Sequence, residues 1–420
     1  MINRASPLSV YLHIPFCVHR CAYCDFNTYA GQEDSIPAYV DALIREIRFV
    51  AGRDGQLPIP SCHTIFFGGG TPSLLSRPQV ASVMDALRLA FAFSKNLEAT
   101  LEANPGTTSP EFLHQIREAG LNRLSFGVQS ANPDELHMLE RAHDFFDVIQ
   151  SVKWARQAGF INLNLDLIYG LPEQTLERWQ NTVKRIVDLH PEHISAYALT
   201  LEHGTPFGRW SARGLLPTPS PDLAADMYEW ADEFLSANGY VQYEISNWAL
   251  DRELKTEDPL SPVSRPPPHA CRHNLQYWRN LPYLGLGAGA HGYANGIRYS
   301  NFLRIKTYIE RMSDIRNSKI EFPLTPVTVN HHRLTQREEM QETMLTGLRL
   351  TRDGVSDTTF RARFGLGIAE AFPKEVDELI RLGLLEWKQK TSESQDDSEV
   401  LKLTKHGRLL GNQAFMRFVD

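Results

Sequence analysis

Short apolar runs alternate with amphipathic helical patterns along the first part of the chain. The run SVYLHI at 9–14 precedes a helical pattern over 36–50, and the run HTIFFGG at 63–69 precedes another over 79–91. In the helical segments apolar residues recur every three or four positions, which gives a helix one apolar face. Alternation of this kind predicts a parallel sheet whose strands are joined by crossover helices.

Four more strand-like runs follow, namely NLEATLEAN, LNRLSFGVQ, INLNLDLIYGLP and HISAYALTLE. The predicted helices between them cover 110–119, 133–139 and 176–189, and Ser109 before Pro110 predicts the N-cap of the first. Six strands in about two hundred residues fall short of an eight-unit barrel of ~250 residues. The sequence therefore predicts an α/β fold with a partial (β/α)6 barrel, in which ligands bind at the carboxyl ends of the strands.

The alternation weakens after Leu201. A helix is predicted over 223–237, and the polar, proline-rich segment 251–270 is predicted to be a surface loop. Later helices precede two strand-like runs joined by the polar turn TSESQDDS at 391–398, a pattern typical of a winged-helix module. The acidity of this turn favours packing or partner docking over DNA binding. The predicted domains are a partial barrel at 1–235, an extension at 236–325 and a winged-helix-like domain at 326–420.

Composition narrows the classes of partner and location. The chain has 43 Lys and Arg against 50 Asp and Glu, a formal net charge of −7. Without a general basic field, nucleic acid is not expected as the main partner, and RNA modification is disfavoured. No apolar run approaches the ~18 residues of a membrane span, and no secretory signal is recognised. We therefore expect a cytoplasmic protein, with peripheral membrane contact and a homodimer left open.

Three of the five cysteines lie within eight positions, in the segment CVHRCAYC. In a cytoplasmic protein, clustered cysteines are more often metal-binding or catalytic than disulfide-bonded. One alternative for Cys17, Cys21 and Cys24 is a zinc site completed by His13, His19 or a distant ligand. The other is a 4Fe–4S cluster held by three thiolates, with one iron open to an external ligand. The spacing alone favours the cluster only slightly.

Glycines and polar side chains follow the predicted strands at the edge where a ligand is expected. Gly68–Thr71 ends the second strand, Glu102 closes the third, Gln129 follows the fourth with Arg141 one helix later, and Asp166 lies near the end of the fifth. Taken singly, such a glycine run is usually a tight turn and such an acid a satisfied cap. Together they suit S-adenosylmethionine (SAM), with carboxylates for the ribose, arginine for the methionine carboxylate and glycine backbone for the amino group. The SAM amine and carboxylate would complete the open iron.

The motifs CVHRCAYC and GGGTP resemble the radical SAM superfamily. More narrowly, YLHIPFC, FFGGGTPS, LEANP, RLSFGVQS, LNLDLIYGLP and ACRHNLQYW resemble the oxygen-independent coproporphyrinogen III oxidase family, and within it most closely the haem-chaperone branch, HemW. The resemblance covers nearly the whole chain. It implies a 4Fe–4S cluster on Cys17, Cys21 and Cys24. It also implies SAM contacts at Tyr11, Tyr23, Gly69, Gly70, Thr71, Glu102, Gln129, Arg141, Asp166 and Ala198.

Two departures distinguish the chain from the oxidases that it resembles. The oxidases continue the cysteine motif with a further cysteine where this chain has Phe26, and they carry a longer segment before the position of Tyr11. Both departures favour a haem chaperone, which binds haem and delivers it to acceptor haemoproteins, and no catalytic residue is assigned. The oxidative decarboxylase stays the alternative.

The segment HNLQYW, residues 273–278, resembles a haem-binding signature of the chaperone branch. It implies a haem site at His273, Tyr277 and Trp278, in which an exposed imidazole ligates iron and the rings cover the macrocycle. Apart from the resemblance, the pattern is more typical of a satisfied histidine beside core aromatics. Further candidate haem ligands are Cys271, His291 and His203. The segment GLGAGAHG is not expected to bind a nucleotide, because it does not join a strand to a helix.

Overall fold

The computed structural model describes residues 8–52, 61–217, 220–251, 266–315, 320–389 and 399–419. The chain forms two compact units. The first comprises residues 1–192, 196–227 and 281–333, and the second comprises 193–195, 228–280 and 334–420. Neither unit is one continuous stretch, and the linear three-domain division expected above stays a prediction.

The strands of the described residues are, in chain order, β1 (Leu8–Ile14), β2 (Phe16–Cys17), β3 (Tyr29–Ala30), β4 (Ser61–Gly69), β5 (Ala92–Ala103), β6 (Arg123–Gln129), β7 (Leu163–Tyr169), β8 (His193–Ala198), β9 (Tyr240–Glu244), β10 (Asn247–Leu250), β11 (Tyr283–Leu286), β12 (His291–Ala294), β13 (Ile297–Asn301), β14 (Thr328–Arg333), β15 (Val355–Ser356), β16 (Leu385–Gln389) and β17 (Glu399–Leu403).

The helices are α1 (Ile36–Gly52), α2 (Arg77–Ala90), α3 (Pro110–Glu118), α4 (Pro133–Met138), α5 (Phe145–Gln157), α6 (Leu176–Val187), α7 (Pro206–Ala212), α8 (Pro221–Ala237), α9 (Arg272–Trp278), α10 (Ile305–Ser313), α11 (Gln336–Gly347), α12 (Asp357–Phe364), α13 (Ile368–Ala371), α14 (Pro373–Arg381), α15 (Lys405–Leu409) and α16 (Gly411–Phe415). No helix in these ranges is both long and apolar enough to cross a membrane.

The first unit contains a large sheet with strand order β14-β13-β12-β11-β1-β4-β5-β6-β7-β8, of which only Ala196–Ala198 of β8 belong to this unit. The pairs β11–β1, β1–β4, β4–β5, β5–β6 and β6–β7 are all parallel. The six strands expected from the sequence are thus successive neighbours, and the predicted α/β fold is confirmed. Strands β12, β13 and β14 extend the sheet as an antiparallel meander beyond β11.

The helices between these strands begin where the sequence places caps. The Ser109 side chain accepts a hydrogen bond from Phe112 N, with Pro110 at the first helical position of α3, as predicted. Ser76 opens α2 in a capping box with Gln79. Each of these caps satisfies backbone N–H groups that the first helical turn leaves without a partner. Helix α5 is an addition to the helices expected from the sequence.

The second unit contains the hairpin of β9 and β10, helix α9 and the C-terminal helices. Its small sheet has the order β15-β17-β16, with β16 and β17 antiparallel. These strands and the helices around them enclose a core of buried residues that includes Met344, Leu348, Phe372, Leu379 and Leu401. Helices followed by a two-stranded wing agree with the sequence expectation. The predicted polar turn at 391–398 and residues 252–265 of the predicted surface loop lie outside the described residues.

Candidate functional site

A cavity of about 470 Å³ lies in the first unit, at the carboxyl ends of the parallel strands. Its volume is within the range of small-molecule sites, ~300–1,000 Å³. All the residues predicted to hold the cluster or SAM line this cavity, with the exception of Tyr11. The lining residues from that prediction are Cys17, Cys21, Tyr23, Cys24, Gly69, Gly70, Thr71, Glu102, Gln129, Arg141, Asp166 and Ala198.

The three cysteines lie in and after the short strand β2, which pairs with β3. Cys24 N donates to Cys21 O at 3.1 Å, so these two cysteines are held in one turn. All three are free thiols; Cys17 is buried and the other two are half-buried. Burial raises the pKa of the Cys17 and Cys24 thiols, and the neighbouring thiols raise both further. Binding of a metal by these sulfurs would therefore release protons.

The glycine segment after β4 approaches the cysteine segment by backbone contacts. Gly70 N donates to Ile14 O at 2.8 Å, and Thr71 N donates to Phe16 O at 2.7 Å. A Cβ atom on Gly70 would lie 2.5 Å from Phe16 O, and Gly69 has a φ of +112°. Glycine suits the left-handed backbone at Gly69, and the close approach at Gly70 leaves no room for a side chain.

Two carboxyl groups face the cavity from β5 and β7. Glu102 accepts a hydrogen bond from Gly69 N at 3.0 Å. Asp166 accepts one from Ser125 Oγ at 2.9 Å and one from Asn164 Nδ2 at 2.7 Å. Burial, together with the nearby Asp166 carboxylate, raises the pKa of Glu102 to about 8. Both acids can accept hydrogen bonds from hydroxyl groups of a ligand, as a ribose requires.

Arg141 lies between α4 and α5 and reaches across the cavity. Its Nη2 donates to Gly127 O at 2.7 Å, and its Nη1 donates to Cys21 Sγ at 3.6 Å. Its Nε is buried and has no hydrogen-bond partner among the residues that the structure describes. Gln129 ends β6 with a φ of 69°. A guanidinium beside a thiol of the motif is well placed to bind a carboxylate that lies on the same metal.

Tyr11 does not line the cavity. Its hydroxyl forms a hydrogen bond with His13 Nδ1 at 3.0 Å, and His13 Nε2 forms one with Asn27 O at 2.9 Å. Tyr11 and His13 therefore connect β1 to the end of the cysteine segment. The role of Tyr11 as a SAM contact stays a prediction.

Asn104 and Ser125 are among the polar residues of the cavity lining that the sequence analysis missed. Asn104 lies in the motif LEANP, two positions after Glu102, so its place after β5 was available as a signal. Ser125 lies between Leu124 and Phe126 within β6. Nothing in the neighbouring sequence distinguishes it from a serine with a purely structural role.

The segment HNLQYW forms helix α9 in the second unit. His273 is only 1% exposed, and its Nε2 lies 2.8 Å from Tyr277 Oη. The rings meet edge to face at 84°, because residues four apart lie on the same side of a helix. The expectation of an exposed imidazole is therefore wrong. Tyr277 and Trp278 are half-buried, and the Arg349 guanidinium carbon lies 4.4 Å from the Trp278 ring centroid.

The other candidate haem ligands differ in exposure. Cys271 is buried, whereas His203 and His291 are exposed. His203 and His291 belong to the first unit and Cys271 to the second. Exposure alone does not show a haem pocket at Cys271, His203 or His291. The haem ligand set stays a prediction.

The donor set of the cavity fits the group that the sequence predicts. The three free thiols line one space together with the Glu102 and Asp166 carboxyls, the Arg141 guanidinium and a glycine backbone. Among the described residues, no group of three or more His, Cys, Asp or Glu side chains is close enough to hold a single metal ion. A 4Fe–4S cube differs from a single ion in that each thiolate binds a separate iron. Anaerobic reconstitution with iron and sulfide distinguishes a 4Fe–4S cluster from a zinc site.

Comparisons with known proteins agree with this geometry. The radical SAM superfamily profile matches residues 11–186, and the profile of the HemN C-terminal domain matches residues 334–410. The chain is 38% identical to the heme chaperone HemW of Bacillus subtilis over 98% of this chain and 99% of that protein. The chain belongs to the HemW family. Membership of the radical SAM superfamily implies a 4Fe–4S cluster and SAM.

Other relatives extend the similarity. The chain is 34% identical to the mouse protein named radical S-adenosyl methionine domain-containing protein 1, mitochondrial, over 90% of this chain and 81% of that protein. The solved structure of coproporphyrinogen III oxidase (HemN) from Escherichia coli is 25% identical and superposes with a TM-score of 0.77, covering 99% of this HemW-family chain and 91% of the oxidase. The fold of a radical SAM domain with a HemN-type C-terminal domain is therefore shown.

Proposed function

We propose that this protein is a haem chaperone that binds a 4Fe–4S cluster, SAM and haem, and delivers haem to acceptor haemoproteins. The observation that carries the proposal is the 38% identity to the B. subtilis heme chaperone HemW over nearly the full length of both proteins. The partners would be haem as cargo and haemoproteins without haem as acceptors. A cytoplasmic location, peripheral membrane contact and a homodimer remain predictions from the sequence.

The cavity of the first unit supports the proposed cofactors. Cys17, Cys21 and Cys24 would hold three irons of the cluster, and SAM would bind the fourth through its amino acid group. Arg141 and the Gly68–Gly70 backbone would orient that amino acid group, while Glu102 and Asp166 would accept the ribose hydroxyls. The cluster supplies an electron to SAM when both are bound. The protein contributes position, exclusion of water and a fixed hydrogen-bond pattern.

Anaerobic reconstitution tests the cofactor set directly. The purified protein is incubated with iron and sulfide, and absorption and electron paramagnetic resonance spectra are recorded with and without SAM. The proposal expects about four irons per chain and a change of the reduced cluster's spectrum when SAM is added. Uptake of zinc alone, with no effect of SAM on the metal's spectrum, would contradict it.

For haem, we propose His273 as the ligand and Tyr277 and Trp278 as ring contacts. His273 is buried and hydrogen-bonded to Tyr277. Ligation of iron by this nitrogen requires that the hydrogen bond break, which costs ~1 kcal/mol. Haem binding is therefore expected to involve a local rearrangement of α9.

A haemin titration of three variants tests this ligand. The unmodified protein should show a Soret band that saturates near one haem per chain. His273→Ala should lose this band, whereas Tyr277→Phe, which removes the hydroxyl bonded to His273 Nε2, should bind haem up to about fivefold more tightly. His114→Ala is the matched control, because His114 is also a histidine but is exposed on α3 of the first unit, and it is not a candidate ligand. An unchanged band in His273→Ala would remove His273 from the site.

The oxidative decarboxylase is the second candidate function. It is favoured by the 0.77 TM-score to the E. coli coproporphyrinogen III oxidase over 99% of the chain. Against it, Phe26 stands where the oxidases have a further cysteine, and Phe26 is 64% exposed at the cavity. Incubation of the reconstituted protein with coproporphyrinogen III, SAM and a reductant without oxygen tests it. Carbon dioxide release above that of a Cys17→Ser variant would overturn the chaperone proposal.

A further inference from the structure

Asn104, the first residue after β5, bridges two side chains that each contact a cysteine of the motif. Its Nδ2 donates to Thr71 Oγ1 at 3.1 Å, and its Oδ1 accepts from Arg141 Nη2 at 2.5 Å. A guanidinium can only donate, so the orientation of the amide is fixed with its oxygen towards Arg141 and its nitrogen towards Thr71. Asn104 thus connects the glycine segment to the arginine.

The two partners end on different sulfurs. Thr71 Oγ1 lies 3.6 Å from Cys17 Sγ as a donor, and Arg141 Nη1 lies 3.6 Å from Cys21 Sγ. A threonine hydroxyl has one proton. Because Asn104 donates to Thr71, the Thr71 hydroxyl acts as acceptor on that side and keeps its own proton for Cys17. Asn104 therefore decides the direction of the hydrogen bond that Cys17 receives.

Asn104 is itself held firmly. The main-chain carbonyl of Asn104 accepts hydrogen bonds from Thr107 N at 3.1 Å and from Thr107 Oγ1 at 2.7 Å. On the other side, a Cβ atom on Gly127 would lie 3.3 Å from both Asn104 Oδ1 and Arg141 Nη2. The two partners of the side-chain amide cannot exchange places, because the Arg141 guanidinium has no acceptor for the amide nitrogen.

We propose that Asn104 is a positioning residue of the cluster site, which holds the Thr71 hydroxyl on the Cys17 sulfur and the Arg141 guanidinium on the Cys21 sulfur and so raises the reduction potential of the cluster. Hydrogen bonds to cluster sulfurs withdraw charge and favour the reduced state. The inference rests on the proposed function, because it requires the cluster to form on these cysteines.

The test measures the midpoint potential of the reconstituted cluster by anaerobic redox titration. Asn104→Ala removes both contacts, and Asn104→Asp keeps the acceptor for Arg141 but replaces the donor to Thr71 with an oxygen that competes with Cys17 for the Thr71 proton. Both variants are expected to hold about four irons and to show a lower midpoint potential than the unmodified protein. Asn122→Ala is the control, because the Asn122 side chain accepts a hydrogen bond from Ala99 N and donates one to Leu97 O on the neighbouring strand, away from the cysteines.

A double-mutant cycle separates positioning from a general structural effect. In a Thr71→Val background the hydroxyl is absent, so Asn104→Ala is expected to shift the potential less than it does in the unmodified protein. Equal shifts in both backgrounds would overturn the proposal, and so would an unchanged potential with a full cluster. Loss of iron in both Asn104 variants but not in Asn122→Ala would also overturn it, since Asn104 would then be needed for assembly. If the unmodified protein forms no cluster, the proposed function itself fails.

Discussion

Gly70 occupies a position at which the molecule has no room for a Cβ atom. Its amide bonds to Ile14 O, and a side chain would collide with Phe16 O, the carbonyl next to Cys17. The contact is between two backbones, so neither can move away by a change of rotamer. The position of Cys17 therefore depends on the absence of a side chain one strand away.

Gly70→Ala is expected to lower the free energy of unfolding by about 1–3 kcal/mol, as overpacking in a tight site does. Because the carbonyl that must move precedes Cys17, iron uptake should fall as well. Thermal unfolding of the apo protein and iron content after reconstitution measure the two effects. Gly204→Ala is the matched control, since nothing lies within 4 Å of its added Cβ. Normal iron uptake in Gly70→Ala would contradict this account of the site.

Helix α1 is fixed to the C-terminal part of the first unit by one buried carboxyl group. Glu46 accepts hydrogen bonds from Gly287 N at 2.8 Å, Asn301 Nδ2 at 2.9 Å, Tyr308 Oη at 2.7 Å and Thr325 Oγ1 at 3.0 Å. The side chain is fully buried, and burial raises the pKa of Glu46 to about 7 against the effect of these bonds. One residue thus joins β13, α10 and two loops to α1.

The raised pKa of Glu46 gives stability a definite pH dependence. Between the ordinary pKa of 4.5 and about 7, the folded state keeps a proton that the unfolded state has released. The stabilisation is therefore complete below pH 4.5 and is lost as the pH rises to about 7. From pH 5 to pH 8 this group should lower the free energy of unfolding by about 2–3 kcal/mol.

Urea unfolding of the apo protein at pH 5 and pH 8 measures this loss. In Glu46→Gln, which cannot ionise, the difference in unfolding free energy between the two pH values should change by about 2–3 kcal/mol in favour of pH 8. Asp41→Asn is the control, because Asp41 lies on the same helix but is exposed. The same pH dependence in Glu46→Gln and in the unmodified protein would show that Glu46 does not titrate in this range.

The sequence predicted those strands and helices whose positions depend on neighbouring residues. Alternating apolar runs and caps such as Ser109 located the six parallel strands and the helices between them, because burial and capping are read from neighbouring residues. They did not predict that β11, about 270 residues later, pairs with β1, since a short apolar run carries no information about its partner. The same limit explains His273, because the spacing to Tyr277 predicts a shared helix face but not whether that face meets solvent.

For the cavity, the sequence predicted the residues that would bind the cofactors better than the residues that orient them. The cysteines, the glycine segment, Glu102 and Asp166 were found because each is an unusual residue at a predicted strand end. The polar side chains that orient them, such as Asn104, were missed because their role depends on contacts between separate strands. Tyr11 was placed among the ligand contacts by resemblance, and in the structure it lies behind the lining beside His13.

At the scale of the whole molecule, the two predicted binding functions fall in different units. The cysteines and the SAM residues belong to the first unit, and His273, Tyr277 and Trp278 belong to the second. The second unit has its own buried core, formed by residues such as Met344, Phe372 and Leu401. Because the haem residues belong to a unit with its own core, haem binding is expected to survive loss of the cluster thiols.

Simultaneous Cys17→Ser, Cys21→Ser and Cys24→Ser replacement should therefore abolish the cluster but leave haem binding near one per chain, with a Kd within about threefold of the unmodified value. His273→Ala should show the reverse, a full cluster that responds to SAM and no Soret band. Iron analysis and haemin titration on both variants measure this, with Cys62→Ala as a cysteine control outside the motif. Loss of haem binding together with the cluster would contradict independent sites, because it would mean that haem binds at the cluster cavity or that the cluster fixes the conformation of α9.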